Sequence, residues 1–68
     1  MKLTHRQKQV LPLVCQGKLT KEIADELKIT IGTAQWHVER LRDKLGVVSR
    51  VQILPAAVRL GLIKVEDL

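Results

Sequence analysis

The chain has 68 residues, of which 46% are hydrophobic and 28% charged, which is too short for a two-domain enzyme and too apolar for a disordered segment. Trp36 is the only residue among Phe, Trp and Tyr, so the core must be built from Leu, Val, Ile and Ala, which favours helices; with the four helical segments taken in order below, the expectation is one domain over residues 1–68, an all-α four-helix bundle containing a helix-turn-helix. The net charge of +5 is uneven: residues 1–21 carry five cations (Lys2, Arg6, Lys8, Lys18, Lys21) and no anion, whereas the tail from Val51 is neutral, and that bias suggests a polyanionic partner, with solubility as the plainer alternative.

One cysteine cannot form an internal disulfide, so nothing requires an oxidising compartment. No apolar run approaches the roughly 18 residues of a membrane span, and the N-terminus lacks the apolar core of a signal peptide. The expectation is a soluble, cytoplasmic protein with no membrane partner.

Thr4 is followed by Gln7 at capping-box spacing, which predicts a first helix with Val10, Leu11, Val14 and Cys15 on one face and Gly17 at its end. Pro12 lies inside it and removes the bond to the Lys8 carbonyl, at a cost of about 3 kcal/mol. A kink on the exposed side is expected there, not a break. After Thr20, Lys21–Leu27 reads as a two-turn helix with Ile23, Ala24 and Leu27 as its apolar stripe and Asp25 and Glu26 outward. Thr30 caps a longer helix over residues 31–45 that Gly46 ends.

A short helix, a turn of about three residues and a longer capped helix match the geometry in which one helix braces the next in the DNA major groove. Ala24 would let the two cross closely. The same spacing occurs in bundles that bind no DNA, so spacing alone leaves both readings open.

At about 100° per residue, Ala34, Val38, Leu41 and Leu45 fall on one face of the third helix, and Trp36, Glu39, Arg40 and Asp43 on the opposite one. A lone Trp in a small domain is usually a core residue, yet here the angles turn it outward. Near the helix N-terminus an indole could cover a thymine methyl or pack along a sugar; a partner-protein contact is the alternative. Gln35 beside it can offer adenine a donor and an acceptor. Thr30 and Thr33 suit phosphate oxygens or purely local capping. His37 borders the core face, as a packed or phosphate-contacting histidine.

Ser49 with Gln52, again at capping-box spacing, starts a last helix that runs to Leu60 and stops at Gly61, with Pro55 repeating the oddity of Pro12. It has two apolar faces, Ile53, Ala56, Ala57 and Leu60 on one and Val51, Leu54, Val58 and Leu62 on the other, divided by Gln52 and Arg59. One small core can cover only one of them, which predicts a homodimer through Val51, Leu54 and Val58.

An enzyme finds little support. His5, His37 and Cys15 lack metal-ligand spacing, and there is no Gly-rich phosphate loop. No catalytic residue, metal or cofactor is expected, and Cys15 reads as a small core residue.

From Leu3 to Arg50 the sequence resembles the LuxR/FixJ/NarL-type (GerE-like) helix-turn-helix output domain of bacterial transcription regulators. The resemblance is carried by Leu3-Thr4, Gly17, the block Lys21-Glu22-Ile23-Ala24, Thr33, His37, Lys44-Leu45-Gly46-Val47 and Ser49-Arg50. It implies a four-helix DNA-binding domain with the third helix for recognition and the fourth for dimerisation, acting on inverted-repeat promoter sites, with RNA polymerase as a further candidate partner. The DNA-contact set is then Lys21, Thr30, Thr33, Gln35, Trp36, His37, Glu39 and Arg40. Five positions depart from the family pattern. Gln7 stands where Glu is usual, and Lys28 replaces a Gly at the turn, where left-handed backbone would cost about 1 kcal/mol. Ala34-Gln35 replaces Val-Lys. Glu39 brings a negative charge to the groove-facing side, for which either an unusual target, with Glu39 accepting from a cytosine amino group, or weak and assisted DNA binding would account. The chain carries no sensor or receiver domain, so a stand-alone regulator and an output domain both stay open. The rival of another class is a protein-interaction module of the same fold, for which Gln35, Trp36 and Glu39 speak.

Overall fold

The computed structural model describes residues 2–67; Met1 and Leu68, the ends of the expected domain, lie outside them. Four α-helices follow in order, α1 (His5–Cys15), α2 (Thr20–Leu27), α3 (Ile31–Leu45) and α4 (Ile53–Arg59), with 3-10 turns at Arg50–Gln52 and Val65–Asp67 and no strand among the described residues. None of these helices is long and apolar enough to cross a membrane.

The caps form as the sequence predicts. Thr4 is extended, its hydroxyl oxygen accepts from the Gln7 N–H at 3.2 Å, and the Gln7 Oε1 accepts from the Thr4 N–H at 2.9 Å. Helix α1 continues unbroken through Pro12, since the Gln16 N–H still reaches the Pro12 carbonyl at 2.9 Å. Pro12 itself is half-buried, beside Leu3, Leu11, Leu62 and Ile63, and so is not on the exposed side.

Helix α2 starts one residue early, at Thr20. Its cap is Leu19, whose N–H donates to the Glu22 carboxylate at 2.7 Å, and the Thr20 hydroxyl instead accepts from Arg50 at 2.9 Å. It ends on Lys28 at φ +56, ψ +46, the left-handed conformation anticipated from the missing glycine, and the Ile29 N–H closes the turn on the Ala24 carbonyl. Helix α3 is capped by Thr30 and closed by Gly46 at φ +69.

The last helix is shorter than expected. Ser49 and Gln52 pair as predicted but open a 3-10 turn, and α-helix begins only at Ile53. Pro55 has no N–H for the Val51 carbonyl, so this segment tightens, and Pro55 falls in the first turn of α4, where an N–H is not needed. It is therefore no counterpart of Pro12. The expected faces also change places at the end: Gly61 at φ +71 reverses the chain, the Leu62 N–H donates to the Ala57 carbonyl, and Leu62 packs against the core while Leu60 is exposed.

Each helix contributes one fully buried large side chain, Val10, Ile23, Leu41 and Ile53, so the core is the meeting point of all four. Burial on this scale stabilises by roughly 1.5–3 kcal/mol per side chain. Gln7 is the buried polar residue at the rim, and its Oε1 also accepts from Lys44 Nζ at 3.0 Å, while the same ammonium donates to the Lys2 carbonyl at 2.7 Å. Cys15 is half-buried at the edge of the core and not within it, and burial pushes its thiol pKa up.

Candidate nucleic-acid interface

Helices α2 and α3 pack on each other across the link Lys28–Thr30, with Ala24 and Ala34 both buried. Because Ala34, Val38, Leu41 and Leu45 face the core, α3 turns Gln35, Trp36, Arg40 and Asp43 to solvent. Trp36 is 51% exposed. The Arg40 guanidinium carbon stands 5.1 Å from the centroid of its ring, and the His37 ring meets it edge-on at 5.1 Å. A stacked guanidinium keeps its N–H groups free at the edge.

The residues expected to share one outward face divide between two grooves. Trp36, Arg40 and Asp43 border a groove with Thr4, Gln7 and Lys44 on the α1 side. Gln35 and Glu39 border a second one with Thr20, Arg42 and Arg50 on the α2 side. Glu39 is half-buried and lies 3.9 Å from Arg42, the ion pair found among the described residues, so its charge is partly offset within the domain. Such a pair contributes little to stability on a surface.

The Thr30 hydroxyl accepts from the Thr33 N–H at 3.1 Å and donates to the Thr33 hydroxyl at 2.8 Å, so capping occupies Thr30 and leaves the Thr33 O–H available. Lys21 is exposed in the first turn of α2 and joins neither groove. His37 is half-buried with its Nδ1 buried and unpartnered, and burial, followed by the nearby Arg6 charge, holds its pKa below the ordinary value. It is neutral at pH 7 and can donate only from one nitrogen.

Sequence reasoning missed the role of Arg50. Its guanidinium donates to the Thr20 hydroxyl and to the Lys18 carbonyl, joining the turn before α4 to the entry of α2. The only signal was its place in the Ser49-Arg50 pair, because a contact across 30 residues leaves no local pattern.

Away from α3, Val51 is 82% exposed and Val58 36%, and Leu54 is half-buried. Val48 and Leu60 add to the exposed apolar surface. A shallow groove of about 400 Å³ between Val14, Cys15 and Leu19 on one side and Val51 and Leu54 on the other adjoins it. Among the described residues no three His, Cys, Asp or Glu side chains gather as metal ligands would.

Comparison with known proteins gives this arrangement a context. The pattern of the family described as "Bacterial regulatory proteins, luxR family" matches residues 1–57. The chain is 42% identical over 62 residues to the transcriptional regulatory protein DesR of Bacillus subtilis (strain 168), covering 91% of this chain and 31% of DesR. It is 42% identical over 59 residues to the spore germination protein GerE of the same organism, covering 87% of this chain and 80% of GerE. The chain thus spans about a third of DesR's length and four fifths of GerE's. The solved Vibrio cholera VqmA–ligand–DNA complex contains a domain of the same shape, with a TM-score of 0.80 and 36% identity over 85% of this chain and 25% of that one. With the sequence pattern and the four-helix arrangement in agreement, the chain belongs to the luxR family of bacterial regulatory proteins.

Proposed function

We propose that this chain, as one domain over residues 1–68, binds duplex DNA in a sequence-specific way as part of a bacterial transcription regulator, with α3 in the major groove. The observation that carries the reading is the outward ridge of α3, where the chain's only indole stands half exposed under a guanidinium on a domain of net charge +5. Leaving a Trp in water forgoes a large burial term, which a partner surface would recover. VqmA, similar in sequence and shape, was solved with DNA.

In this reading Gln35 pairs with adenine, Trp36 covers a thymine methyl and Arg40 takes guanine O6 and N7 or a phosphate. Lys21, Thr33 and neutral His37 hold phosphates, Thr30 supports Thr33 through the cap that takes up its hydroxyl, and Glu39, on the α2-side flank, accepts from a cytosine amino group. A homodimer through Val51, Leu54 and Val58 supplies the two-fold symmetry that an inverted repeat requires. Cytoplasmic location and contact with RNA polymerase follow from the same role.

Titrating the chain against duplex DNA over a range of salt concentrations tests the proposal. Neutralising roughly five phosphates per monomer gives a slope of log affinity against log salt of about −4 to −5. A flat response would reassign the α3 ridge to a protein partner.

A further inference from the structure

The chain has five arginines, Arg6, Arg40, Arg42, Arg50 and Arg59, and the way Arg40 is held separates it from the rest. Arg6 donates to the Gln9 side-chain oxygen at 3.0 Å, Arg42 to the Val48 carbonyl at 3.0 Å while pairing with Glu39, and Arg50 to the Thr20 hydroxyl and the Lys18 carbonyl. Each of these is fixed through N–H groups of its guanidinium, and those donors are spent. Arg59, exposed at the end of α4, is fixed by no such bond among the described residues.

Arg40 is held by a ring. Its guanidinium carbon lies over the Trp36 indole, 5.1 Å from the centroid, and among the described residues it makes no hydrogen bond and no ion pair, although Asp43 borders the same groove. Trp36 in turn meets the His37 ring edge-on at 5.1 Å, and His37 is half-buried with its Nδ1 closed off from solvent. A histidine seated against the domain thus backs an exposed indole, and the indole backs a guanidinium whose N–H groups stay free. Helical side chains lean toward the helix N-terminus, so Arg40, rooted in the third turn of α3, presents its fork beside Trp36 in the second, nearer the end that meets base edges.

We infer that Trp36 is a positioning residue for Arg40: the indole holds the guanidinium as a preformed fork and so commits Arg40 to the O6/N7 edge of a guanine rather than to a phosphate. Within the DNA reading of α3 given above, on which this rests, Arg40 has two contacts open to it and the ring selects one. A phosphate contact makes no demand for a held fork, since it positions the protein without reading sequence. Guanine does, because O6 and N7 lie side by side in the plane of the base and take two donors of one fork at once, and a fork already held loses less freedom on binding.

The test uses the duplex that the wild-type chain enriches from a random-sequence pool, with each guanine replaced in turn by 7-deazaguanine, which pairs normally but lacks the N7 acceptor. For the wild type, one such replacement should weaken binding about tenfold, and Arg40→Ala should be indifferent to it at that same position. Trp36→Ala keeps the arginine but frees it to turn to a phosphate, so its penalty there should fall to about threefold or less. Trp36→Phe, which restores a ring face, should bring most of the penalty back. On the unmodified duplex, Trp36→Ala should weaken binding at least about twofold more in the wild-type background than in Arg40→Ala. Both side chains are exposed, so the variants should melt within roughly 4 °C of wild type. A penalty in Trp36→Ala as large as in the wild type, or no guanine at which Arg40→Ala loses the penalty, would overturn the positioning role while leaving DNA binding standing. A wild-type chain that enriches no duplex would instead remove the DNA reading, and this role with it.

Discussion

Gln35 and Trp36 are neighbours in sequence but face different grooves of the domain, Gln35 toward α2 and Trp36 toward α1. Replacing either with Ala should cost about 1–3 kcal/mol on the preferred duplex and much less on random DNA, measured by competition titration. Equal losses on both would make them general contacts. His37 gives a prediction of a different kind, since its pKa is held down by burial and then by Arg6. Above pH of about 6.5 the ring is neutral in both folded and unfolded chains. As pH falls through that value the unfolded chain takes up a proton first, so stability declines until the lower folded pKa is reached and then levels off. Thermal melts between pH 7.5 and 5.5 should show this decline, and His37→Gln should flatten it. The exposure of Trp36 was legible in the sequence because rotation about a helix is simple arithmetic. The pairing of Glu39 with Arg42 was not, because i,i+3 spacing permits an ion pair without requiring one and rotamers decide it.

At the scale of elements, the three caps at Thr4, Thr30 and Ser49 and the stops at Gly17 and Gly46 could be read directly, since each is a local bond between residues a few positions apart. The end of the last helix could not. Placing Leu60 inside and Leu62 outside assumed one straight α-helix from Val51 onward, whereas a 3-10 turn winds more tightly and Gly61 reverses direction, so the phase of the pattern is lost at both ends. Val51 and Val58 stay exposed and Leu54 half-buried through this change. Val51→Asp and Val58→Asp, at exposed positions, should fold normally and sediment as monomers, because each would place an unpaired charge in the proposed contact. Binding to an inverted repeat should weaken with them, and binding to a single half-site should not. If both variants associate as wild type does, that face is free and another surface makes the dimer.

For the molecule as a whole, the fold was legible because composition, periodicity and punctuation agreed: a core without Phe or Tyr, four helical segments and short links left few alternatives. What stayed hidden were the ties between segments far apart in the chain, Lys44 to Gln7 and the Lys2 carbonyl, and Arg50 to Thr20 and the Lys18 carbonyl. These depend on how the helices meet, which no local pattern encodes. Gln7 shows what such a tie does. In place of the Glu usual in the family, its neutral amide accepts from Lys44 while nearly buried, so the contact carries no carboxylate to titrate.

The Arg50 tie also has a bearing on measurement of distance along DNA. Its guanidinium fixes the turn before α4 to the entry of α2 through two donors of one rigid plane, so in the proposed dimer the two reading heads would form a caliper with a stiff joint. A stiff caliper accepts half-site centres about one helical turn, roughly 10 base pairs, apart and rejects other separations. Arg50→Ala should loosen the joint: inverted repeats lengthened or shortened by one base pair, strongly penalised by the wild type in band-shift titrations, should be penalised much less. Tolerance of promoter geometry would then be set by a residue that need not touch DNA at all.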